Sequence, residues 1–231
     1  LFIQRDLSRT LFRIKRLGKS GFYEGETAKL IIQEMERGGG LVTKDDLLTY
    51  ESVWRDPIRG IYRGYEIVSM PPPSSGGVLL VQMLNMLEPF DLGGMGFCVS
   101  ETVHVMLEAQ RRAYADRSEY LGDSDFYPVP IEKLIDKDYA EERFKDFKAG
   151  EAGSSENTGP GLFSKESLET AHLSVIDDLG NAVAYTTTLN LSYGSKIVVD
   201  GAGFLLNNEM DDFSAKENEP NFYGLVGRKA N

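Results

Sequence analysis

The chain has 231 residues, of which 41% are hydrophobic and 26% charged, with a net charge of −11. That length and balance fit a folded protein with a real core, as one large domain or two small ones. The acidic balance, with no basic stripe to neutralise phosphates, argues against nucleic acid as a partner. A single cysteine, Cys98, excludes an intramolecular disulfide and a multi-cysteine zinc site.

In chain order, "RDLSRTLFRIKRLGKSGFYEG" starts helical and ends in a glycine-rich turn. "ETAKLIIQEMERGGG" predicts a helix with Leu30, Ile31 and Met35 on one face and a glycine stop. "TKDDLLTYE" predicts a short helix capped by Thr43, with Asp45 and Asp46 suiting the dipole of its first turn. "VWRDPIRGIYRGYEIVSM" reads as two strands broken around Pro57 to Gly60. The prolines of "PPPSSGG" (71–77) exclude regular structure there and lead into the helix "VLLVQMLNMLEPF", whose N-terminus can hold an anion. A long amphipathic helix, "SETVHVMLEAQRRAYADRSEYLG", and a helix or helix pair, "PIEKLIDKDYAEERFKDF", follow. Residues 148–168 are rich in Gly, Ser and acids, the composition of a flexible linker. The chain after residue 169 is strand-rich. No apolar run approaches the ~18–20 residues that span a bilayer. The chain opens on helical sequence with no leader, so both ends are expected to be cut from a longer protein.

The alternation from Thr170 to Asp177 puts positions 170, 172, 174 and 176 on one face of a strand. "DDLGN" supplies hairpin residues, and "AVAYTTTLNL" returns as the partner strand. Such a hairpin brings Thr186 to Asn190 back towards Thr170, but a one-residue slip would change which threonine meets it. If the chain broke before Thr170, its new amine, with a pKa of about 7.7–8, would serve as base for its own hydroxyl. The pattern by itself favours the plainer reading, in which these threonines are good strand formers. His172 falls on the same face as Thr170 and takes a structural role. "GFLLNNEMDDFS" runs a strand into Asn207, Asn208, Glu209, Asp211 and Asp212, carboxylates that either bind an ammonium group or form a solvated acidic loop. "AKENEPNFYGLVGRKAN" reads as a lid over a pocket or as a surface loop.

Taken together, "ETAHLSVIDDLGNAVAYTTTLN", "LLNNEMDDFSAKENEPNFYGLVG", "YEIVSMPPPSSGG", "GGGLVTKDDL" and "YADRSEYLGD" resemble the γ-glutamyltransferases, which are N-terminal nucleophile hydrolases. The likeness runs essentially end to end. It implies an α+β fold, the αββα sandwich, incomplete at both ends. It implies self-cleavage between Glu169 and Thr170. Residues 1–169 would be the C-terminal part of a large subunit with a flexible tail at 148–169, and 170–231 the N-terminal part of a small subunit with a lid at 217–228. Thr170 matches the nucleophile and Thr188 the threonine that hydrogen-bonds to it. Asn190, Glu209 and Asp212 match residues that hold the α-amino end of the γ-glutamyl group, and Tyr223 the aromatic tip of the lid. The implied chemistry is acyl transfer from glutathione or a related γ-glutamyl donor to water, an amino acid or a peptide, with no metal or organic cofactor. The implied location is periplasmic or extracellular.

The chain departs from the family pattern at Ala171, where many members carry a second small hydroxyl, and at Glu209, where others carry Gln. It ends before the family's Ser-Ser and Gly-Gly pairs, and begins after its carboxylate-binding arginine. Since one oxyanion donor is worth about 2.7–4 kcal/mol, this piece alone is expected to be inactive. A cephalosporin or glutaryl acylase of the same fold is the alternative enzyme, disfavoured because its substrate would give Asp212 no ammonium partner. An unprocessed, non-catalytic binding homologue is the alternative outside enzymology.

Overall fold

The computed structural model describes residues 3–155, 158, 170–213, 215–216, 219 and 221. Its elements in chain order are α1 (Arg5–Leu17), α2 (Ser20–Tyr23), α3 (Gly25–Gly38), α4 (Lys44–Thr49), β1 (Ile58–Tyr62), β2 (Tyr65–Ser69), α5 (Gly76–Leu87), α6 (Leu92–Met95), α7 (Ser100–Tyr120), α8 (Ile131–Leu134), α9 (Lys137–Phe144), β3 (Thr170–Ile176), β4 (Ala182–Thr188), β5 (Val198–Val199) and β6 (Phe204–Leu205), then a 3-10 turn at Glu209–Asp212. Among the described residues the strands pair two by two, β1 with β2, β3 with β4 and β5 with β6, all antiparallel. Contacts divide the chain into two compact units, Leu1–Trp54 with Ser167–Met210, and Arg55–Glu166 with Asp211–Asn231.

In the first unit, α3 and α4 pack on the short β5–β6 hairpin through Ala28, Ile31, Leu47, Val199 and Ala202, with Phe22 against Phe204. Helix α3 ends where expected, at Gly39, whose φ of 69° is left-handed. The α4 start carries a capping box: Thr43 Oγ1 accepts from the Asp46 amide at 3.2 Å and Asp46 Oδ2 accepts from the Thr43 amide at 2.7 Å. Helix α1 docks on the β5–β6 turn, where Thr10, fully buried, donates its hydroxyl to the Ala202 carbonyl at 2.9 Å. At the neighbouring Gly203 a Cβ would sit 2.4 Å from the Leu7 nitrogen, so only glycine permits that approach.

In the second unit, α5 crosses the β1–β2 hairpin and packs with α7 and α8 through Ile58, Val78, Val81, Ala113 and Leu134. The two expected strands are present, but the break between them is not at Pro57 to Gly60. Ile58–Tyr62 is one continuous strand, and the turn falls at Arg63 and Gly64, both with positive φ (49° and 84°). Two consecutive left-handed residues make the tight turn that suits the twist of a hairpin, and Pro57 merely precedes the strand. Helix α5 starts at Gly76, two residues before its apolar run, and Gly77 lies so close to the Met70 carbonyl that a Cβ would be 2.1 Å from its oxygen.

Helix α7 is amphipathic in an unexpected way, because its buried face is partly charged. Glu108, Arg112 and Asp116, spaced four apart, are all buried. Arg112 pairs with Glu108 Oε2 and Asp146 Oδ1, each at 2.6 Å, and Arg143 pairs with Asp116 Oδ1 at 3.0 Å. Burial raises the Asp116 pKa, with Arg143, Gln82 and Tyr139 opposing the rise. Burial would raise Glu108 too, but its bonds from Arg112 and the Gly153 amide and the charge of Arg111 hold it below its ordinary value.

Candidate active site

The β3–β4 ladder settles which threonine faces Thr170. The pairs are Thr170 with Thr188, Ala171 with Thr187, His172 with Thr186, and onward to Ile176 with Ala182. The turn explains the register. Asp177 Oδ1 accepts from the amides of Leu179 (3.0 Å) and Asn181 (2.8 Å), Oδ2 accepts from the Asn181 side chain (2.8 Å), and Gly180 takes a φ of 84°. These bonds, those of Asn181 foremost, hold the Asp177 pKa below its ordinary value. His172 bridges the strands: Nδ1 lies 2.8 Å from Thr186 Oγ1 and Nε2 2.9 Å from Ser174 Oγ.

Beyond β4 the chain reverses sharply. Thr188 Oγ1 accepts the Asn190 amide at 2.9 Å, and Asn190 is left-handed (φ 72°) and 3% exposed. Its side-chain nitrogen donates to the Asn208 carbonyl at 2.9 Å. Asn208 returns the contact twice: its Oδ1 accepts from the Leu191 amide at 3.1 Å, and its own amide donates to Leu189 at 3.1 Å. Asn190 and its neighbours Leu189 and Leu191 are thus bound to the "NNE" segment, whose Asn207 Oδ1 accepts the Glu209 amide at 3.0 Å. A 3-10 turn, Glu209–Asp212, follows.

Asp212 belongs to the second compact unit. Its residue surface is exposed, yet partial desolvation of the carboxyl raises its pKa; Arg117 pulls the value down and Asp211 pushes it up. Arg117, on α7, is steadied by a bond from its Nε to Ser75 Oγ at 3.2 Å. The Asp212 carbonyl accepts from Asn221 Nδ2 at 2.8 Å. Glu169 and Tyr223 lie outside the described residues, as do most of the expected linker and lid. The hairpin therefore sets Thr170 across from Thr188, Thr188 holds the Asn190 amide, and Asn208 ties Asn190 to the start of the acidic turn. Two contributors escape a reading of the sequence. Asn208 stands next to a predicted ligand, but its role depends on a return contact 18 residues away. Arg117 sits within "YADRSEYLGD" with nothing local to link it to Asp212. Among the described residues no cluster of three His, Cys, Asp or Glu could hold a metal ion.

A family model described as gamma-glutamyltranspeptidase matches residues 1–231. The chain belongs to the γ-glutamyltranspeptidase family. Among family relatives, it is 50% identical over 230 residues to the glutathione hydrolase proenzyme of Escherichia coli (strain K12), a match covering 99% of this chain and 40% of that protein. The crystal structure of Helicobacter pylori gamma-glutamyltranspeptidase matches with a TM-score of 0.66 at 49% identity, covering 68% of this chain and 45% of that one. The crystal structure of a cephalosporin acylase from Bacillus halodurans matches with a TM-score of 0.77 at 26% identity, covering 98% of this chain and 40% of that one. The fold is thus the mixed α and β fold of the N-terminal nucleophile hydrolases that such transpeptidases and acylases share. The chain spans about 40% of the length of the curated relatives it matches.

Proposed function

We propose that this chain is part of a γ-glutamyltransferase with glutathione hydrolase activity, matured by its own cleavage between Glu169 and Thr170. The observation that carries the reading is the ladder register, which sets Thr188 directly across from Thr170 in a chain of this family. In maturation the Thr170 hydroxyl attacks the Glu169 carbonyl, the peptide nitrogen leaves as the Thr170 amine, and water hydrolyses the resulting ester. The freed amine, ordinarily near pKa 7.7–8, is then poised to take the proton of the same hydroxyl at neutral pH. Attack on the γ-amide of glutathione or a related donor gives a γ-glutamyl ester on Thr170, and the donor amine leaves with a proton. Water completes hydrolysis, or an amino-acid or peptide amine completes transfer. Asn190, Glu209 and Asp212 would hold the α-amino end of the donor, Asp212 as ion-pair partner of the ammonium. Tyr223 would cap the pocket, the segments on either side of the cleaved bond would persist as large and small subunits, and the protein would work in the periplasm or outside the cell.

The likeness to a cephalosporin acylase supports a second reading, a glutaryl-type acylase. Asp212 counts against it, since a substrate without an α-amino group leaves that carboxylate unpaired. Intact-mass measurement of the full-length precursor tests the main reading. Wild type is expected to yield two chains split before Thr170 while Thr170→Ala stays single. A Thr170→Ala precursor that still splits there overturns it. Faster turnover of a glutaryl amide than of a γ-glutamyl anilide would favour the acylase.

A further inference from the structure

His172 is unassigned by the proposed chemistry, yet both of its ring nitrogens have partners on the face of the hairpin. Its ring spans two hydroxyls, Thr186 Oγ1 across the ladder at 2.8 Å and Ser174 Oγ along the same strand at 2.9 Å. Both ring nitrogens are thereby engaged, and neither contact is with position 170. Opposite Ser174 stands Ala184, which offers no competing polar group. A neutral imidazole has one donor and one acceptor nitrogen, and a hydroxyl can play either part, so the brace forms with either tautomer.

The brace matters because of where it lies. Among the described residues, Thr170 and Thr188 are the outermost pair of the β3–β4 ladder. Cleavage before Thr170 would turn that terminal pair into a free chain end, and chain ends fray first. The pair of His172 and Thr186 is the next one inward on the same face. A side-chain bond across the strands there stops an opening that would part positions 170 and 188.

We infer that His172 is a positioning residue for the nucleophile, pinning the cleaved end of β3 to β4 through Thr186. This rests on the function proposed above, so its test must fail separately. In the full-length precursor, His172→Ala, Thr186→Val and the double variant form a cycle, read as kcat and KM for a γ-glutamyl anilide and as the rate of self-cleavage by intact mass. Each single change is expected to lower kcat about three- to tenfold, the size of one lost hydrogen bond, with KM within about twofold. The double variant should be no worse than His172→Ala, and His172→Gln, which keeps a donor and an acceptor, should recover most of the loss. A variant too slow to mature is scored by the same cycle on its cleavage rate. Additive losses, wild-type rates in His172→Ala, or a His172→Gln as poor as His172→Ala would overturn the inference, the last by making the ring an acid or base. Cleavage of Thr170→Ala would instead overturn the underlying function.

Discussion

At the scale of single residues, the candidate site depends on side chains that hold the backbone in place. Asn190 adopts a left-handed conformation while 3% exposed, and does so because its amide reaches Thr188 Oγ1 and its side chain reaches Asn208. Asparagine tolerates that conformation better than other side chains with a Cβ. Asp212 behaves differently. Its pKa is raised above 3.8 by desolvation, opposed by Arg117 and reinforced by Asp211. Since the folded state holds this proton more tightly than the unfolded one, the protonated group contributes stability that is complete below the unfolded pKa. That contribution is lost as pH rises through the raised folded value. Asp212→Asn is therefore expected to have a higher urea midpoint than wild type at neutral pH, by a margin that shrinks on acidification. Equal midpoints at every pH would show that desolvation of Asp212 has no cost. Of these residues, the sequence points to Thr170, Thr188, Asn190, Glu209 and Asp212 through family motifs. The choice of Thr188 over Thr186 is a matter of register, which turns on three bonds to Asp177 that no alternation pattern reveals.

At the scale of elements, local signals were readable and longer-range ones were not. The α4 cap is legible because a capping box involves only residues 43 and 46. The β1–β2 turn is misplaced by a reading that gives Pro57 the weight due to Arg63 and Gly64, since proline before a strand interrupts nothing. The charged face of α7 is hidden because Asp146 and Arg143 reach it from 27 to 34 residues away. The docking of α1 on the β5–β6 turn is equally non-local, and Gly203 makes it testable. Gly203→Ala adds a Cβ 2.4 Å from the Leu7 nitrogen at a φ of 77°. The left-handed strain and the overpacking together predict a loss of roughly 2–4 kcal/mol. A urea midpoint unchanged from wild type would mean that α1 moves away from the turn freely.

At the scale of the whole molecule, chain order and packing order differ. Each compact unit combines a segment from before residue 169 with one from after it: α1–α4 with β3–β6 in one, and β1–α9 with the residues from Asp211 onward in the other. The bond proposed to break therefore separates no body from another. Before cleavage, unfolding is a change within one molecule; afterwards it is also a dissociation. Maturation thus converts a first-order equilibrium into one governed by mass action. The melting temperature of the cleaved protein is expected to climb with protein concentration, while that of a Thr170→Ala precursor stays level; parallel behaviour of the two would refute this. A molecule that cuts itself here would trade a stability set by sequence alone for one set in part by dilution, and its refolding, once the two pieces had drifted apart, would wait on a bimolecular encounter.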